Sequence, residues 1–88
     1  MNMEYVIDMT YAIRHIRTGK VCRNYGSLGL RTLFFIQQMG IDYLLQSDRK
    51  PSMRIFAVKR IAEDHIRQLN KRFKHEFELV ELPSYLGD

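Results

Sequence analysis

Four cations, Arg60, Arg67, Lys71 and Lys74, stand at intervals of seven, four and three residues. At about 100° per helical residue, those intervals place all four on one face, broken only by Glu63 and Asp64. Arg49, Lys50 and Arg54 lie just before them. Phosphates need several positive charges on one rigid surface, because affinity comes from releasing counterions condensed on the nucleic acid. Two blander uses compete with that chemistry. One is a solvated helix face kept soluble by Lys and Arg, helped by pairs from Glu63 to Arg67 and from Asp64 toward Arg60. The other is docking on an acidic protein.

A second cluster surrounds the loop YGSLGLRT, residues 25–32, where Arg23, Ser27 and Arg31 frame two glycines. Backbone N–H groups at a helix start bind anions, so this is a candidate anion-binding loop. It lacks the Lys before Ser/Thr of a P-loop and does not match G-x-G-x-x-G. Its G-x-x-G, with the later Gly40, resembles the KH single-strand RNA-binding module. Ser27 and Leu28 nevertheless hold the positions where that family places a basic residue. The loop therefore reads first as a plain helix start. A helix-turn-helix is disfavoured, since the Pro-containing spacer before the basic helix is longer than that motif's tight turn.

Acid–base and metal chemistry have little to build on. His15, His65 and His75 have no ligand spacing with one another or with Cys22, so no metal site is expected. In the run Glu63-Asp64-His65, adjacent helical residues point in different directions, and no nucleophile motif accompanies them. His65 flanks an apolar stripe and reads as a residue at the edge of the core. Cys22, between Lys20 and Arg23, has either a lowered thiol pKa or a structural, half-buried role, the latter favoured.

The elements that must hold these residues follow from spacing. Residues 2–8 alternate and read as a strand. Thr10 then caps a helix beginning at Tyr11 and ending before Gly19, although one helix over residues 4–18 fits as well. Residues 20–29 read as a loop. A helix starts near Ser27 with two apolar stripes. Leu30, Leu33, Phe34, Ile41, Leu44 and Leu45 form one, and Leu28, Phe35, Ile36, Met39 and Tyr43 the other, so both faces need burial. Gly40 either ends this helix or lies within it. After the polar connection QSDRKPS, with Ser52 a possible cap, Ile55, Val58, Ala62, Ile66, Leu69 and Phe73 recur at helical spacing over residues 53–75. The opening MRIFAV is alternatively a strand, with the helix starting near Lys59. From Phe77 the pattern FELVEL alternates until Pro83, and this strand needs a partner, for which the N-terminal strand is the natural candidate, either of the same chain or of a second copy.

Over 88 residues, 45% are hydrophobic and 27% charged, which suits one folded domain over residues 1–88 rather than a disordered chain. The net charge of +4 is uneven. Residues 1–48 hold five basic and four acidic side chains, residues 49–75 nine and two, and residues 76–88 none and four, giving +1, +7 and −4. No apolar run exceeds four residues, so no membrane span is expected, and a lone cysteine suggests a reducing compartment. The expectation is a helix-rich α+β domain, two or three helices with short terminal strands, or else an all-α three-helix bundle. The favoured function is a small cytoplasmic, non-enzymatic regulatory protein that binds DNA or RNA through its basic helix. The alternative is an adaptor or inhibitor docking on an acidic protein. No cofactor is expected. The second stripe of the middle helix points to a homodimer.

Overall fold

The two-residue period near the N-terminus does not give way to a helix at Tyr11. In the computed structural model, which describes residues 6–26, 29–46, 53–74 and 77–85, Val6–His15 forms one strand of ten residues, β1. Both helical readings of this stretch are thereby corrected. Tyr11, Ile13 and His15 keep strand alternation, and β-branched and aromatic side chains suit a pleated surface. Gly19 closes a turn instead of capping a helix. At φ 74° it adopts the left-handed conformation, its N–H donates to His15 O at 2.8 Å, and His15 N–H donates to Lys20 O at 2.8 Å.

The chain then returns as β2, Val21–Cys22, inside the stretch expected to be wholly loop. With β3, Leu45–Gln46, and β4, Phe77–Tyr85, it forms an antiparallel sheet of order β3-β2-β1-β4. The two long strands of one chain satisfy each other from His15↔Phe77 to Val6↔Tyr85, with a register shift between Val6 and Asp8. Pro83 does not end β4. It faces Met9 on an edge strand, where a missing N–H is tolerated. The expected residues 2–5 of the first strand lie outside the described residues.

The middle helix is shorter than its apolar pattern. α1 spans Leu30–Met39 with Gly29 as N-cap, and α2 spans Ile41–Leu44; Ser27 and Leu28 lie outside the described residues. Gly40 separates them at φ 97°, ψ 159°, a backbone region open essentially to glycine alone. The break shifts the phase of every later residue, so neither continuous stripe survives. The core face takes Leu33 from one and Ile36 from the other. Leu30 (75% exposed), Phe34, Phe35 and Met39 stay exposed. A Cβ at position 40 would meet open space, so the cost of Gly40→Ala is conformational, about 1–3 kcal/mol. Chemical denaturation should register that loss without a change in slope, and unchanged stability would contradict the helix break.

α3 spans Lys59–Phe73, beginning six residues later than a helix from residue 53. The preceding segment is extended, as the strand alternative for MRIFAV has it. Phe56 bridges to Tyr11 and Met53 to Arg23. Ser52 lies outside the described residues. The apolar stripe holds from Ala62 onward: Ala62 and Leu69 are buried, and Ile66 and Phe73 pack against the core, while Ile55 and Val58 are exposed. The core joins Ile13 of β1 and Cys22 of β2 to Leu33, Ile36, Leu44, Phe56, Leu69 and Phe77. β1, not the middle helix, occupies the middle of this α+β fold, and the all-helical bundle is excluded.

Candidate nucleic-acid interface

The end of α3 explains the charge reversal that follows it. Lys71 and Arg72 occupy its last turn, where the helix dipole favours cations. Lys74 adopts the left-handed conformation, φ 59°, and its N–H donates to Asn70 O at 3.2 Å. Asn70 Oδ1 accepts from Phe77 N–H at 2.9 Å, which ties the helix end to β4. On β4, Glu78 Oε2 accepts from Arg14 Nε of β1 at 2.6 Å. Part of the acidic strand's charge is thus neutralised across the sheet.

Arg60, Arg67, Lys71 and Lys74 are all exposed, as the helical spacing implies. Arg67 pairs with Asp64 at 2.5 Å, an exposed contact of i,i+3 type. Such a pair contributes at most about 1 kcal/mol, so Arg67 exchanges Asp64 for another anion at little cost. Arg60 and Arg67 line a shallow depression of about 260 Å³ together with Asp64 and His65.

Arg54 makes structural contacts that its charge alone did not imply. Its guanidinium lies 4.7 Å from the Phe56 ring centroid and 5.3 Å from that of Tyr25. It donates to Asn24 Oδ1 at 3.0 Å and to Gly26 O. Arg54 therefore clamps the 23–26 segment to the strand-like approach to α3. Arg49 and Lys50 lie outside the described residues.

Of the anion-loop residues, Ser27 lies outside the described residues, but Arg23 and Arg31 come together. They line a cavity of about 570 Å³ shared with Tyr25, Thr32, Phe35 and Tyr43. Arg23 lies over the Tyr43 ring at 5.4 Å. Phe35 meets Tyr43 edge to face at 5.4 Å.

Tyr25 and His65 join this cavity to the depression on α3. The Tyr25 hydroxyl lies 2.7 Å from His65 Nδ1 and donates to it when that nitrogen bears no proton. The His65 ring also stands edge to face against Phe56 at 4.8 Å. Burial pushes the Tyr25 hydroxyl above its ordinary range, against the pull of Arg54. Burial, then Arg54, lower His65 from its ordinary 6.5, while Asp64 opposes them. The neutral imidazole is therefore the form the fold prefers. Stability from this group is complete above about pH 6.5 and is lost as pH falls through the lower folded value. The melting temperature should accordingly fall more steeply between about pH 7 and 5 in the native chain than in a His65→Gln variant. Parallel curves would remove His65 from the account.

Cys22 is fully buried, and burial pushes its thiol up to about 12. It is protonated near neutrality, which overturns a lowered pKa. His15 is buried, with Nδ1 at 2.9 Å from Thr18 Oγ1. Among the described residues no three His, Cys, Asp or Glu cluster as a metal site would require, and no helix is long and apolar enough to cross a membrane.

Sequence spacing placed Arg60 and Arg67 on one surface and named Arg23 and Arg31. It missed Tyr25, Phe35, Tyr43 and Phe56. Their only signal was aromatic residues interleaved with arginines along residues 23–56. Compared with known proteins, the chain matches no family model, and no curated protein or solved structure shows significant similarity to it.

Proposed function

We propose that this is a small, non-enzymatic, cytoplasmic regulatory protein that binds nucleic acid through a basic surface. One observation carries the reading. Arg23 and Arg31 on one side, and Arg60 and Arg67 on the other, flank the hydrogen-bonded Tyr25–His65 pair. Several cations lining two depressions joined through that pair suit the electrostatic requirement of a phosphate backbone. Lys71 extends this surface along α3, and Lys74, at the C-cap, stands just past the helix end.

An electrophoretic shift series against single and double strands at several salt concentrations tests the proposal. Binding should weaken steeply as salt rises. Absence of any shift at low salt would leave the runner-up, docking of the same cations on an acidic protein.

The exposed apolar residues of α1 favour self-association as part of this reading. Leu30 and Phe34 are 75% and 60% exposed, and grouped apolar exposure of that kind marks interfaces. Sedimentation at tens of micromolar should find a dimer that Phe34→Glu disrupts. A monomer at that concentration would exclude the homodimer.

A further inference from the structure

We infer that the cavity between Tyr25 and the α1–α2 corner receives an unstacked base of a single-stranded nucleic acid, a reading that rests on the basic surface proposed above. Its volume of about 570 Å³ falls within the roughly 300–1,000 Å³ of small-molecule sites. Its wall is aromatic and cationic together. Phe35 and Tyr43 are 49% and 39% exposed, so their rings are reachable. Their planes stand at 85°, forming a corner rather than a closed stack.

A nucleobase has the properties this corner complements. It is a flat π system that stacks on an aromatic ring or on a guanidinium plane, and it carries an anionic backbone beside it. Arg23 already lies over Tyr43, so a base entering here meets both a ring and a guanidinium. Arg31 supplies a further cation at the same wall, and Thr32 a hydroxyl for the base edge. No acidic side chain is among the described residues lining the cavity. Beyond Tyr25 and His65, the strand's next phosphates reach Arg60 and Arg67.

A duplex does not satisfy this arrangement. Its base faces are covered by neighbouring pairs, and only phosphates and base edges are accessible. The cations alone serve single and double strands alike; the aromatic corner is what discriminates between them.

The test uses the full chain and three labelled probes of about ten nucleotides, a length suited to single-strand sites of this size: oligo-U, oligo-dT and a duplex. Fluorescence anisotropy should find the single strands bound more tightly than the duplex. Oligo-U against oligo-dT separates RNA from DNA. Tyr43→Leu keeps an apolar side chain but removes the ring, and should weaken single-strand binding about five- to hundred-fold with the salt slope unchanged. Tyr43→Phe should retain affinity, and Phe35→Leu should repeat the loss. Melting curves identify any variant that fails to fold, in which case Phe35→Leu decides. Wild-type affinity in Tyr43→Leu and Phe35→Leu, or a duplex bound as well as the strands, would overturn the base site while leaving the basic surface standing. A chain that binds none of the probes would overturn both.

Discussion

Phe56→Ala should cost about 3–5 kcal/mol, the usual loss when a packed aromatic ring is truncated. A chain of this size has a total stability on the order of 5–13 kcal/mol, so a large part of it would disappear. The reason lies in how much converges on one side chain. Phe56 is 4% exposed and belongs to the core with Ile13, Leu69 and Phe77. Its ring receives the edge contact of His65 and the guanidinium of Arg54. Its backbone exchanges two hydrogen bonds with Tyr11 of β1, at 2.7 and 2.8 Å. Removing the ring opens a cavity where the sheet, α3 and the Arg54 clamp meet. The melting temperature should fall by more than about 10 °C. A drop of only a few degrees would mean that Phe56 does not join these elements. Phe56→Leu, which keeps most of the volume, should lose much less.

The fate of Phe56 also shows what the sequence could and could not convey. Periodicity worked where one face of an uninterrupted element met the core, as for Ala62, Ile66, Leu69 and Phe73 on α3. It located the alternation of β4 and matched its partner to the N-terminal strand. It failed at interruptions. A strand and a helix both accommodate the apolar positions around Tyr11 and Ile13, and only the pairing with β4 and β2 selects the strand. Gly40 resets the helical phase, which made two tidy stripes meaningless beyond Met39. Phe56 lies in MRIFAV, a run too short for periodicity to separate strand from helix. Charge spacing placed the cations of α3 correctly on its exposed surface, because that pattern needs only the helix. The aromatic corner needed tertiary structure, since Tyr25, Phe35 and Tyr43 come from different elements. The contacts of Arg54 were hidden for the same reason: its partners Asn24 and Gly26 lie 30 and 28 residues away.

Replacing Arg60, Arg67, Lys71 and Lys74 together by Gln should reduce the salt dependence of nucleic-acid binding by up to three to four units of slope, since each phosphate contact contributes roughly 0.9 on a duplex and 0.7 on a single strand. The loss should be equal on every sequence, because phosphate contacts carry no sequence information. All four side chains are exposed, so the fold should survive. The structural costs are the helix-dipole contribution of Lys71, about 0.3–1 kcal/mol, and the exposed Arg67–Asp64 pair, at most about 1 kcal/mol. Arg67→Gln also strips Asp64 of its partner and leaves a carboxylate facing the strand, so Arg67 should account for more than an equal share. The acidic side acts in the opposite sense. Neutralising Glu76, Glu78 and Glu81 should tighten non-specific binding, and Glu78→Gln should do so partly by releasing Arg14 as an additional cation. Within this scheme Arg23→Gln with Arg31→Gln should cost fewer units of slope than the α3 set, because only two phosphates are lost. An unaltered slope in the fourfold variant, with wild-type binding intact, would place the phosphate track elsewhere on the molecule. If the wild-type chain shows no salt-sensitive binding and the fourfold variant instead loses an acidic protein partner, the same cations serve docking, and the electrostatic surface stands while its ligand changes.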